Sequence, residues 1–435
     1  MRLSKDLQVK LKRFRRDRRA FYSFLFIAAL FILTLPAEWL CNIRPILIVV
    51  EGRPYFPVLF SYSEKDFGGA LLSEPDYKSD RFIRLLSGNQ ESTEAKNLLM
   101  EFEDEDTGSE NLGLDLGDFD EEDSGSGFSL GLGDFDEDEE SSGTPNITSE
   151  QTTPNITDAP PGVKRDFWIL WPPVPYDYKY IPTQSTTGRV VLTAPYETLS
   201  FDGERMIPSS VIDQHYLGTD DRGRDVLARL IYGFRISMIF GISLAIFGTL
   251  IGCLIGGVQG FFGGLVDLIG QRLTEIWGSI PRLYILIILS SFLVPSVLLL
   301  FAILNLTAWM GIGAYIRAEF LKIRNLEFVK AAKAMGVSNF KIMRRHILPN
   351  ALTPVITFFP FEVTAGILAL VSLDYLNLGV PSPAPSLGEL LAQGKNNLHA
   401  LWILLPTFTV LTVALTCLTF VGEGVRNAFD PRRSG

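Results

Sequence analysis

Three cysteines and three histidines in 435 residues leave this chain little with which to hold a metal or build a disulfide framework. Cys41, Cys253 and Cys417 sit in or beside apolar runs, with no zinc-type spacing, and read as small core residues. His215, His346 and His399 are scattered, so no metal site is expected. The phosphate-cradling pattern Gly-x-x-x-x-Gly-Lys-Ser/Thr is missing, which excludes a nucleotide site of that kind in this chain. Positive charge is also missing over residues 101–140, which hold 18 acids and no Lys or Arg. Outside that block 39 basic residues face 31 acidic ones, so the net charge of −10 hides a basic protein carrying an acidic insert.

Apolar residues, by contrast, are abundant. At 47% hydrophobic the chain is too apolar for an ordinary soluble protein and too long for one compact domain. The first twenty residues carry nine Lys or Arg against two Asp, and an apolar run over 20–40 follows at once. Pro36, Glu38 and Trp39 close that run where a cleaved signal would have small residues, so it reads as a retained anchor with a cytoplasmic N-terminus. Further membrane-length runs lie near 236–258, 268–292, 296–316, 350–374 and 401–422. The expectation is therefore an all-α polytopic membrane protein with six transmembrane helices. The segment 317–349 has eight Lys or Arg and two acids and falls inside; the loop 375–400 has one Glu and one Lys and falls outside. The C-terminus falls inside with Arg426, Arg432 and Arg433.

This topology puts residues 41–235 outside the membrane. Within them, 86–165 contains LGDFDE twice, at 116–121 and 132–137, and PNIT twice, at 145–148 and 154–157. Dense like charge and few apolar groups argue that this insert does not fold by itself. No spacing in it matches a defined calcium loop, and Asn146 and Asn155 match the short glycosylation acceptor pattern.

Four features carry the functional reading. Gly248, Gly252, Gly256 and Gly260 line one helix face, for close packing within the chain or against a partner. Glu362 lies mid-span in FFPFEVTAG and should face the bundle interior, a cavity or a partner subunit. It is either a hydrogen-bonded structural carboxyl or a group of a substrate pathway, whereas Arg272, Glu275 and Arg282 near the end of the third span read as snorkelling or paired. Asp220, Arg222, Arg224 and Asp225 precede the second span and form either an outer lip or a charged cap that fixes span depth. Finally, 327–350 reads as a polar helix–Gly–helix. Phe328, Ala331, Ala332 and Met335 share one helix face, and Gly336 supplies the stop. Ser338 caps a second short helix with Phe340, Met343 and Ile347 on one side, and Pro349 ends it or starts the next span.

The 327–350 stretch resembles the coupling loop of ABC importer permeases, which runs Glu-Ala-Ala, three residues, Gly, nine residues, Ile-x-Leu-Pro. Ala331, Ala332, Gly336, Leu348 and Pro349 fit; Lys330 stands in place of Glu and His346 in place of Ile. HYLGTDDRGRDVLARLIYGFRIS (215–237), YFPVLFSYSEKDFGG (55–69), RAEFLKIRN (317–325), SLGELLAQGKNNL (386–398) and VGEGVRNAFDPR (421–432) extend the likeness to the peptide-importing branch, close to microcin C importer permeases. The resemblance implies a type I importer-permease domain over 236–435, with the 41–235 segment as a large periplasmic insertion, in the bacterial inner membrane. It implies a non-enzymatic transport subunit for peptides or peptide-like compounds, with Phe328, Ala331, Ala332, Met335, Gly336, Leu348 and Pro349 against an ATPase. Partners would be a second permease, ATPase subunits that use ATP and Mg, a periplasmic solute-binding protein and lipid, but no nucleic acid. The chain itself would bind no cofactor. Two other readings stay open: a permease for nickel or another metal chelate, and a membrane-anchored receptor scaffold with a periplasmic ligand segment.

Overall fold

A computed structural model gives the architecture. It describes residues 5–69, 71–87, 166–180, 192–195, 200–201, 204–205, 215–293 and 296–429. The acidic block, both repeats, Asn146, Asn155, Arg432 and Arg433 lie outside the described residues. The chain divides into two compact units, one of Met1–Leu47, Phe56–Val58 and Ile169–Gly435 and one of Ile48–Tyr55 and Leu59–Trp168.

The first unit begins with α1 (Lys5–Arg16), α2 (Arg18–Thr34) and the short α3 (Ala37–Leu40). The second unit contains α4 (Asp80–Leu86) and an antiparallel pair of strands, β1 (Leu47–Val50) and β2 (Arg53–Tyr55), in register Ile48 to Tyr55 and Val50 to Arg53. Phe67 is fully buried there, with ring centroids of Tyr55 at 4.9 Å and Phe82 at 5.2 Å. The apolar bundle of the first unit continues with α5 (Val226–Phe262), α6 (Gly264–Gly278), α7 (Arg282–Phe292) and α8 (Val297–Ile323). It ends with α9 (Glu327–Ala334), α10 (Asn339–Ile342), α11 (Leu348–Tyr375), α12 (Leu387–Asn396) and α13 (Leu401–Phe429).

Among the described residues four helical stretches are long and apolar enough to cross a membrane: Val226–Phe262, Val297–Ile323, Asn339–Tyr375 and Leu401–Phe429. The other two expected spans differ for identifiable reasons. At 17 residues α2 sits at the lower limit of spanning length, because Pro36 follows and the chain turns into α3. The run 268–292 is not continuous. Pro281 lacks an N–H and disfavours helix at Ile280, so α6 stops at Gly278 and α7 starts at Arg282. None of the α6 side chains is buried within the chain.

The glycine ladder packs within the chain. All four glycines are buried on α5 and face α8. A Cβ at Gly252 would stand 2.8 Å from the Trp309 carbonyl oxygen, one at Gly260 2.5 Å from that of Arg317, and one at Gly256 would collide with the Gly313 carbonyl. Lipid tails offer no hydrophobic drive for helix association, so this close approach is what gives the pair its dispersion contacts. A second core joins α2, α5, α11, α12 and α13 around Phe234, Met238, Ile367, Leu390 and Ile403.

Cys41 is fully buried beside Val174 and Tyr176, and its carbonyl accepts the Tyr232 hydroxyl at 3.0 Å. Burial first, then the charges of Asp225 and Asp177, push its thiol up to about 12. Reactivity needs the thiolate and access, and Cys41 has neither. In a variant keeping Cys41 as its single cysteine, maleimide labelling at pH 8 should be negligible in the folded protein and complete after denaturation. Rapid labelling of the folded form would contradict this packing.

Candidate coupling turn, ionic cluster and intramembrane cavity

The turn between α9 and α10 follows from Gly336. Its φ of +80° is the left-handed region that other residues enter at a cost. The Val337 N–H donates to the Ala332 carbonyl at 3.2 Å and the Gly336 N–H to that of Lys333 at 3.0 Å, which together make a Schellman closure. Val337 packs back onto the cluster containing Ala332. Ser338 holds the N-cap position of α10 as expected, but its side chain makes no capping bond.

The faces are split differently from the sequence reading. Val329, Ala332, Ile342 and Ile347 point inward, toward Ile316 and Phe320 of α8. Phe328, Ala331 and Met335 point outward, so Ala332 does not share their side of the turn. Phe340 is likewise exposed, 71%, while Ile347 is buried, because the π turn over Met343–Ile347 lies between them and shifts the register of the faces. The result is an apolar knob of Phe328, Met335 and Phe340 on a firmly seated turn, edged by Lys330, Lys341, Arg344 and Arg345. Lys330, standing where the family pattern has Glu, pairs with Glu327 at 3.1 Å.

Pro349 stands in the first turn of α11, as expected of a proline that starts the next span, but no break in the helical stretch precedes it. Met343–Ile347 forms a π turn in which the Leu348 N–H donates to the Met343 carbonyl, and the helix runs on into α11. A proline ring clashes with the carbonyl four residues back and supplies no N–H; the widened turn just before Pro349 accommodates both.

A second site lies where α5 begins. Asp225 is the N-cap of α5, accepting from the Ala228 N–H at 2.7 Å, and its other oxygen lies 2.8 Å from His215 Nδ1. A tight turn at Gly223 brings Asp220 and Arg224 together. Arg224 Nε donates to Asp220 at 2.8 Å and Nη2 to Glu389 of α12 at 3.0 Å. Arg229 pairs with the other oxygen of Glu389 and lies 3.5 Å from Asp220. Asp220, Arg224, Asp225 and Arg229 are buried and Glu389 nearly so. Burial opposes the charge on Arg224, but Asp220 and Glu389 outweigh it and its pKa is raised. Only Arg222 of the four expected lip residues faces solvent, donating to Ser382 at 2.6 Å, so the four do not form one exposed rim. They form a charge-balanced clamp between α5 and α12. Sequence reasoning passed over Arg229 and Glu389, although the isolated Glu in the neutral stretch 375–394 was a usable signal.

A third site surrounds Glu362. It lines a cavity of about 220 Å³ with Thr249 of α5, Arg282 of α7 and small residues including Gly248, Ala308 and Gly366. Among the described residues neither Glu362 nor Arg282 has a hydrogen-bonding or ion-pairing partner, and Thr249 Oγ1 is buried without one. Arg272 pairs with Glu275 at 2.6 Å as expected; Arg282 instead joins the cavity wall. No group of three or more His, Cys, Asp or Glu among the described residues is placed to hold a metal ion.

The family model for the binding-protein-dependent transport system inner membrane component matches residues 248–435, which include the turn, the cavity and α12. The peptidoglycan transport system permease protein YejE of Agrobacterium fabrum is 37% identical, covering 97% of this chain and 92% of that protein. The chain belongs to this permease family. The inner membrane ABC transporter permease protein YejE of Escherichia coli is 34% identical across 100% of this chain and 99% of its own length. A permease of the oligopeptide transport system, OppC of Escherichia coli, is 37% identical over 50% of this chain and 72% of that protein. These likenesses favour neither the metal-chelate permease nor the receptor scaffold. Membership makes the chain a helical membrane permease subunit.

Proposed function

We propose that this chain is the permease subunit of an ATP-driven importer for peptides or peptide-like compounds in the bacterial inner membrane. The observation that carries the reading is the exposed apolar knob of Phe328, Met335 and Phe340 on a Schellman-closed turn. Large apolar side chains held out on a rigid element are the usual anchors of a protein interface. An ATPase subunit is the partner that fits, with a second permease and a solute-binding protein completing the transporter. The excess of basic residues near the turn and at the N-terminus puts both, and the C-terminus, on the cytoplasmic side. The segment between α2 and α5 then forms a periplasmic insertion, and the Asp220–Glu389 clamp lies at the outer end. Glu362 and Thr249, with exposed Arg282 at the same cavity, offer unpaired polar groups, and Glu362 is the best candidate for a group that touches cargo.

The test replaces Met335 and Phe340 by aspartate in the assembled transporter. Each buried charge should weaken ATPase docking by about 2 kcal/mol or more, roughly thirtyfold. Substrate-stimulated ATP hydrolysis in proteoliposomes should fall accordingly, while membrane insertion stays intact. Unchanged stimulation in the double variant would remove this turn from the ATPase contact.

A further inference from the structure

A long apolar groove runs along the bundle at the end that carries the α9–α10 turn. Its volume is about 610 Å³, within the range of small-molecule sites. Phe14 of α1, Ile27 of α2, Ile242 of α5, Ile356 of α11 and Val421 of α13 form its walls. Among the described residues Lys10 is the single charged one lining it, at the mouth, with Nζ 4.8 Å from the centre of the Phe429 ring. α1, which roofs this mouth, carries six basic residues and one acid in twelve positions, KDLQVKLKRFRR. Its apolar Leu11 and Phe14 face the groove while the basic residues crowd the same short helix.

We propose that this groove is a binding site for an anionic glycerophospholipid. One acyl chain lies along α5 and α11, and the phosphate is held at Lys10 with the basic face of α1. The wall offers no hydrogen-bonding side chain for a polar cargo, so the occupant must be a hydrocarbon chain. The cationic mouth selects among headgroups: juxtamembrane Lys and Arg each favour an anionic surface. The lipid would lie against α11 over the stretch from Val355 to Val363, both of which line the groove.

The test uses the full chain purified in detergent with the subunits that assemble with it. Phosphatidylglycerol and phosphatidylcholine, each with a photoactivatable group midway along one chain, are crosslinked in parallel. Adducts should map to the peptides containing Ile242 and Ile356, with phosphatidylglycerol favoured by about fivefold for each basic side chain engaged. Lys10→Gln should reduce the phosphatidylglycerol yield about fivefold and the phosphatidylcholine yield by clearly less. Ile356→Trp, which fills the groove, should lower both. Equal yields for the two lipids, or a preference indifferent to Lys10→Gln, would overturn the headgroup site. Absence of adducts at both peptides would show that another helix occupies the groove and would overturn the proposal entirely.

Discussion

Replacing Glu389 by alanine should destabilise the bundle by about 3–5 kcal/mol, the largest effect expected of any single change in this protein. The size follows from what is left behind. Arg224 and Arg229 are 2% and 0% exposed at their side chains, and both lean on the two oxygens of Glu389. Removing that carboxylate strands two guanidinium groups opposite Asp220 alone. Glu389→Gln retains the shape and should recover only part of the loss, because it accepts a hydrogen bond without balancing the charge. Exposed pairs such as Arg272–Glu275 provide the control, since breaking one should cost no more than about 1 kcal/mol. Thermal unfolding of the purified transporter would measure all three. If Glu389→Ala melts like the Arg272 control, the clamp contributes nothing to holding α12 on α5.

Gly256→Leu should be nearly as severe, with a different signature. Even a Cβ at Gly256 collides with the Gly313 carbonyl of α8, and Gly260 and Gly252 are almost as tight. A leucine must push the two helices apart along the whole seam, and overpacking of this kind costs about 1–3 kcal/mol or more. The α5–α8 separation also sets the width of the Glu362 cavity, because Gly248 and Ala308 lie on both the seam and its wall. The variant should therefore insert, melt early and transport poorly. Gly264→Leu, at a glycine whose Cβ would meet nothing within 4 Å, tests backbone strain without crowding, its φ being +55°. Equal stability of Gly256→Leu and wild type would mean that the helices do not meet at this seam in the membrane.

The parts of this fold that were legible in the sequence are those governed by local rules. Gly336 announced a left-handed stop, and the basic bias of 317–349 marked one end of the bundle. Four of six spans emerged from apolar length alone, but with ends set well inside the observed ones, near 236 against Val226 and near 350 against Asn339. The failures lie where local rules compete or where partners are distant in sequence. Pro281 was visible within WGSIPR, yet the apolar run around it outweighed a one-residue break. The seating of α9 was missed because Val329, one position from Phe328, packs on α8. Neither residue is distinguishable by hydrophobicity. The clamp joins Arg229 to Glu389 across 160 residues. No window along the chain contains both. Arg282 is exposed, as a snorkelling residue should be, but nothing near it in sequence says that it also lines the cavity of Glu362.

The π turn has a mechanical corollary. By running on through Pro349, it puts Phe340 of the exposed knob and Glu362 on one rod. From Leu348 to Glu362 is fourteen residues, roughly 20 Å at 1.5 Å per residue. A displacement delivered at Phe340 therefore has no loop in which to dissipate. What it meets instead are Pro354 and Pro360, each of which removes a rung from the hydrogen-bond ladder and lets the rod flex at a fixed point. A push along this rod would thus be geared rather than free: stiff from Phe340 to Pro354, yielding there, and yielding again two residues before Glu362.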